Sequence, residues 1–325
     1  MQYVDAVPYF VIADCLRQKE VVLFVGAAAS SIGHPATAAT PPLPMAEDLA
    51  RVLRTVADYP GAPADALTKV AEYLVGATAG RHFVLRTISD LFYDRVDDDY
   101  SSALTEFLSS LPIECIPRLI ITTNYDLLIE RTLEKRGIPY VAISHFNEEP
   151  HPGALVTYTS LDGRIEPPAV KKSEIDARFT SGLYADSVIV YKMHGSVHSI
   201  RRGRESFFDS IILTETDYVN FLADNFISRI PSVVMKYLGD CHLLFLGYSL
   251  QDWNFRVLLE RVYRVSRAGR RVAGNKHWAC LLSEDRVEKE FWQRRDVRTC
   301  AVSLDIFLEH LLREVQQGME LARGR

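Results

Sequence analysis

Close pairs of cysteines are missing from this chain of 325 residues. Its five cysteines, Cys15, Cys115, Cys241, Cys280 and Cys300, are scattered, odd in number and without a CxxC spacing. That excludes a tetrathiolate zinc signature and argues against a disulfide framework, and no metal is expected. Long apolar runs are missing too, as is a basic amino terminus followed by an apolar core, so no membrane is expected and a cytoplasmic location is. Nor is there an excess of positive charge. A net charge of −5 and a pI near 6.0 give no overall pull toward nucleic acid or anionic lipid. The basic runs Arg201-Arg202-Gly203-Arg204 and Arg267 to Arg271 read as solvated faces or subunit contacts, so direct nucleic-acid binding is not expected.

What is present is a globular composition, 48% hydrophobic and 24% charged, sufficient for one large domain. A helical start through Leu16 leads to the apolar run Val21 to Val25, a buried strand. It empties into Gly26-Ala27-Ala28-Ala29-Ser30-Ser31-Ile32-Gly33, which reads as a small-residue loop open to a phosphate or as an ordinary tight connection. A helix is expected over Ala46 to Ala57. From about residue 60 to 115 the pattern stays helical, an inserted module. Leu119 to Thr122 is a second strand, followed by a helix from Asp126 to Lys135 that stops at Gly137-Ile138-Pro139.

Further strands are expected at Tyr140 to Ile143, Ser187 to Lys192, His242 to Leu246, Lys276 to Leu282 and Val297 to Val302. Helical spacing covers Glu215 to Ile230, the stretch holding Phe255, Leu258, Leu259 and Val262, and Leu304 to Val315. Residues 145–187 are polar and Pro-rich and read as an irregular insertion. Alternating strands and helices imply an α/β fold, a Rossmann-like, mostly parallel sheet with helices on both faces, as one domain over 1–325.

Four strands end in polar or glycine residues, before Gly26, Asn124, His194 and Gly247. In a parallel sheet those ends share one edge, where ligands bind in open α/β folds. Together, Gly26-Ala27-Ala28-Ala29-Ser30, Thr122-Thr123-Asn124-Tyr125-Asp126, Lys192-Met193-His194-Gly195 and Phe245-Leu246-Gly247-Tyr248-Ser249-Leu250-Gln251-Asp252 resemble, in that order, the sirtuin family. The likeness is to its bacterial domains that hydrolyse NAD in anti-phage defence.

The resemblance implies NAD as substrate. Gly26, Ala27 and Ser30 would lie along the pyrophosphate, and Ala28, Thr123 and Gly195 would also belong to the cofactor-binding set. Asn124 and Asp126 would face the nicotinamide and its ribose, His194 would be the base, and Gly247, Tyr248 and Ser249 would hold the phosphate and adenosine side. It also implies a sensing partner, such as an ATPase, an Argonaute-like protein or a repeat sensor, fused or assembled, and a homo-oligomer.

Two departures from the family bear on activity. Ala28 replaces a second glycine, which would strain the chain if that position needs a positive φ, and the paired-cysteine module of the protein-deacylating members is absent.

Chemically, cleaving nicotinamide from ribose demands positioning and desolvation more than protonation, because the leaving group departs neutral. An amide can orient water or a ribose hydroxyl, and an imidazole can take its proton. The plainer readings stand beside these. Asn124 and Asp126 are also good helix caps, His194 a turn residue with His198 as a rival base, and Tyr248 and Ser249 helix-start residues. The functional alternatives are a silent NAD or ADP-ribose sensor and a protein deacylase.

Overall fold

In the computed structural model the described residues are 7–77, 80–97, 99–147, 154–161, 171–200, 209–223, 229–248, 260, 277–282 and 286–323. Their strands are β1 (Val21–Val25), β2 (Leu119–Thr122), β3 (Tyr140–His145), β4 (Leu155–Tyr158), β5 (Val188–Lys192), β6 (His242–Leu246), β7 (His277–Leu281) and β8 (Val297–Ala301). They form one sheet in the order β4-β3-β5-β2-β1-β6-β7-β8, parallel throughout except for the antiparallel β3–β4 pair. The expected α/β Rossmann-like architecture is therefore the observed one.

Burial of the sheet on both faces explains the unbroken apolar strands. On one face Val21, Leu23 and Val25 join Ile120, Val190, Leu244 and Leu246 in a core, while Val22 and Phe24 join Ile121, Tyr191 and Phe245 in a second core on the other. Full burial of a side chain such as Phe24 contributes about 1.5–3 kcal/mol. The first face is covered by α1 (Tyr9–Arg17), α3 (Ala46–Val56), α4 (Leu67–Ala77), α5 (Gly80–Arg95), α6 (Ala103–Ser110), α7 (Leu128–Lys135) and the closing α12 (Leu304–Arg323). The second is covered by α8 (Lys172–Thr180), α10 (Ser232–Asp240) and α11 (Arg286–Gln293).

Several local expectations change. The glycine-alanine run is a short helix, α2 (Ala27–Ser31), rather than a loop, because Gly26 in extended conformation serves as its N-cap and the alanines favour helix. Helix α7 starts at Leu128, not Asp126, since the Asp126 carboxylate accepts the Leu128 N–H and sits outside the helix. The 145–187 stretch contains β4 and α8, and β4 pairs with β3 from Ala142↔Tyr158 to His145↔Leu155. Helix α9 is Glu215–Ala223, and residues 224–228 of the expected stretch lie outside the described set. So do Arg201 to Arg204, Phe255, Leu258, Leu259, Val262 and Arg267 to Arg271.

Strand β1 is central. The chain leaves it for β2 on one side and later returns to β6 on the other, so the carboxyl ends of β5, β2, β1 and β6 stand side by side. A crevice at that point follows from the change in winding direction.

Candidate functional site

At that edge lies a cleft of about 360 Å³. Ala27, Ala28, Ser30, Thr123, Asn124, Asp126, His194, Gly247 and Tyr248 all line it, so residues far apart in sequence meet on one wall. An apolar wall completes the lining: Leu43 to Ala46, Leu49, Leu67 and Phe92. Tyr218 closes the side next to His194.

The polar wall is built around Ser30. Its hydroxyl donates to Asp126 Oδ2 at 2.8 Å and accepts from Asn124 Nδ2 at 2.9 Å, while the same Nδ2 donates to the Gly26 carbonyl at 3.0 Å. Those partners fix the amide orientation and occupy both of its N–H groups. Asn124 Oδ1 is buried with no hydrogen-bond partner among the described residues. A buried acceptor without a donor costs free energy, which marks this oxygen out on the cleft wall. Asn124 therefore offers an acceptor alone, where the sequence suggests both donor and acceptor.

Asp126 accepts the Leu128 N–H through Oδ1 at 3.0 Å just ahead of the α7 N-cap, Leu127, and anchors Ser30 through Oδ2, and its side chain borders the cleft. Thr123 and Tyr248 are joined by a 3.1 Å hydroxyl–hydroxyl contact.

His194 follows β5 and is 7% exposed. Tyr218 and Phe221 of α9 meet its ring edge-on at centroid distances of 5.3 and 5.8 Å, and the Tyr218 hydroxyl lies 3.4 Å from Nδ1. Burial pushes the imidazole pKa down to about 4. The ring is thus neutral near pH 7, and the same burial makes it a weaker base than a free imidazole. His198, the rival, is fully buried against the Tyr158 ring at 4.3 Å and does not line the cleft.

Ala28 lies within α2 and is not among the residues with positive φ, so its methyl introduces no backbone strain. Two expected ligand contacts sit just outside the cleft. Gly26 lies behind the lining residues Asn124, Gly247 and Tyr248, accepting the Asn124 amide and packing on the other two, and Gly195, with φ +88°, is a turn residue packed on Ser210. Ser249 lies outside the described residues.

A profile of the SIR2-like domain family matches residues 118–300, more than half of the chain. The chain belongs to this family. The match takes in β2 through most of β8, hence Asn124, Asp126, His194 and Gly247, and leaves out β1, α2 and the helices that form the apolar wall. A curated relative, Defense-associated sirtuin 2 of Bacillus subtilis, is 26% identical over 180 residues, or 55% of this chain. The chain spans only about 12% of that relative's length.

The apolar wall and Tyr218 were missed by sequence reasoning. Leu49, Leu67 and Phe92 carry the same helical periodicity as core residues, and nothing in spacing separates a cleft wall from a core. As for metals, Cys15, Glu20 and His242 bring one ligand atom each within 4.8 Å of one another. They sit by the amino ends of β1 and β6, the edge opposite the cleft.

Proposed function

We propose that the chain hydrolyses NAD to nicotinamide and ADP-ribose, and that in a cell it serves anti-phage defence by depleting NAD once triggered. The observation that carries this reading is the pairing, on one cleft, of a neutral buried imidazole with an amide whose carbonyl oxygen lacks a donor. The bond that breaks joins the ribose C1′ to the nicotinamide nitrogen. The electron pair leaves with nicotinamide, which departs neutral, and C1′ takes on oxocarbenium character. A water adds to C1′, and His194 accepts its proton and releases it to solvent. Asn124 Oδ1 accepts from that water or from a ribose hydroxyl and fixes its direction. The apolar wall excludes other water from the reacting centre.

Membership in the SIR2-like family supports NAD as the substrate, and the name of the Bacillus relative supports the defence role. That relative's greater length is the reason to add a sensing partner or a fused sensor domain to the proposal, and homo-oligomerisation joins it as the resemblance to sirtuin-like defence domains implies. The silent-sensor reading rested on strain at Ala28, which the helical backbone there does not have.

The test follows nicotinamide release from NAD by the purified protein, with and without its cellular partners. His194→Ala and Asn124→Ala are each expected to lower the rate by about 100-fold or more. Equal rates for wild type and His194→Ala would remove the mechanism.

A further inference from the structure

Behind the cleft lies a charged pair that the chemistry above does not use. Lys192 is the last residue of β5, two before His194, and Glu130 is in the first turn of α7, four after Asp126. Their side chains are 1% and 0% exposed, and Lys192 Nζ stands 3.1 Å from Glu130 Oε1. The ammonium also donates to the main-chain carbonyl of Asp126. Glu130 Oε1 accepts the Tyr158 hydroxyl at 2.8 Å, and that hydroxyl lies 3.2 Å from Ser196 Oγ, two residues beyond His194. One connected chain of polar contacts thus runs from the Asn124–Asp126 loop to the turn that carries His194, and back to it through Ser196.

Stability alone does not account for this arrangement. A buried ion pair is commonly neutral or worse beside apolar residues of the same size, because desolvation offsets the attraction. Glu130 Oε2 moreover has no hydrogen-bond partner among the described residues, so the carboxylate is not fully satisfied by them. What a hydrophobic pair would lack is a directional bond to the Asp126 carbonyl. Lysine offers three donors at the end of a long stem, and here burial holds that stem in place while two of the donors meet named acceptors.

We propose that Lys192 and Glu130 are positioning residues that hold the Asn124 loop and the His194 turn in fixed relation where they line the cleft. The inference rests on the hydrolase reading for its effect on rate, and on geometry alone for its effect on the two loops. Loss of the brace lets the amide and the imidazole drift relative to each other, which weakens turnover far more than ligand binding.

The experiment uses the double variant Lys192→Met with Glu130→Gln, in the full chain. It removes both charges, leaves no uncompensated one, and keeps an acceptor for Tyr158. The variant is expected to fold, to bind ADP-ribose by calorimetry with full stoichiometry and within about threefold of the wild-type affinity, and to release nicotinamide with kcat lowered by about tenfold or more at little-changed KM. In the ADP-ribose complex, the NMR signals of the His194 ring and the Asn124 side-chain amide are expected to shift or broaden.

Wild-type kinetics with unmoved signals would overturn the proposal. So would a fall in kcat that merely follows a fall in binding stoichiometry, since that is what a structural role alone produces. If the wild type itself releases no nicotinamide even with its partners present, the hydrolase reading fails. The brace is then decided by the two signals, moved in its favour or unmoved against it.

Discussion

Gly195 and Gly247 show how closely the site depends on single residues. Both have positive φ, +88° and +70°. A Cβ at Gly195 would fall 2.0 Å from the Ser210 carbonyl oxygen, and one at Gly247 would fall 2.3 Å from the Ala29 nitrogen in α2. Backbone in both cases cannot step aside as a flexible side chain would. Gly195→Ala is therefore expected to lower stability in urea by about 1–3 kcal/mol or more, and Gly247→Ala likewise, with α2 pushed off the cleft. Melting like wild type in either variant would mean that the turn adapts. His194 carries a second expectation. Its folded pKa of about 4 lies below the ordinary 6.5 because burial disfavours the charged ring. Above about pH 6.5 both folded and unfolded rings are neutral and nothing is lost. Between 6.5 and 4 the unfolded chain binds a proton that the folded chain refuses, so stability falls as pH falls. His277 is lowered to about 4 as well, by burial first and by His242 second, and adds to the same decline. His194→Gln should flatten part of the decline between pH 6.5 and 4 in denaturant titrations. An unchanged slope would show that the ring does not resist protonation in the folded state.

Elements far apart in sequence are joined at α9, which places Tyr218 and Phe221 on the His194 ring. Arg81 of α5 binds Asp209, reaches both carboxylate oxygens of Asp217 at 2.8 and 3.0 Å, and donates to the Ile211 carbonyl at 2.7 Å. Asp217 in turn accepts the Leu213 and Thr214 N–H groups at 2.9 Å, while Glu72 of α4 accepts from Thr216. Helices inserted between β1 and β2 thereby grip the start of α9. Burial already raises the Asp209 carboxyl pKa against the opposing pull of Arg81. Removing that guanidinium leaves two carboxylates short of a partner, and Arg81→Met is expected to destabilise by about 3–5 kcal/mol. Combined with Asp217→Asn, the loss should be smaller than the sum of the single losses, because the two residues share one interaction. Additive losses, within about 0.5 kcal/mol, would show that the grip is not a unit. Helix phases in this region are readable from apolar spacing; a contact across 136 residues is not, and it is what sets α9 against the histidine.

At the scale of the whole molecule, the sequence was most legible where strands are buried on both faces. Runs such as Val21 to Val25 and Leu119 to Thr122 are short and apolar throughout, as doubly buried strands are, and the residues that follow them had to fall on one edge once the sheet was parallel. Less legible were β4, α8 and α10, which lack a clean period, and the apolar wall, whose residues follow core spacing. The cleft sits where the two halves of the sheet meet at β1, so a ligand there touches β1, β2, β5 and β6 through the segments that follow them. Binding should accordingly stabilise the fold as a unit rather than one loop. At 100 times the dissociation constant, ADP-ribose is expected to add about 2.7 kcal/mol, seen as a rise in melting temperature that grows with ligand concentration. Asn124→Ala loses the unpaired Oδ1 together with the bonds to Gly26 and Ser30, so its own starting stability will differ. The increment on adding ligand cancels that difference, and in this variant it should be smaller at every concentration. Equal increments in the two proteins would place the ligand away from the Asn124 amide and leave its buried oxygen without the partner argued for it.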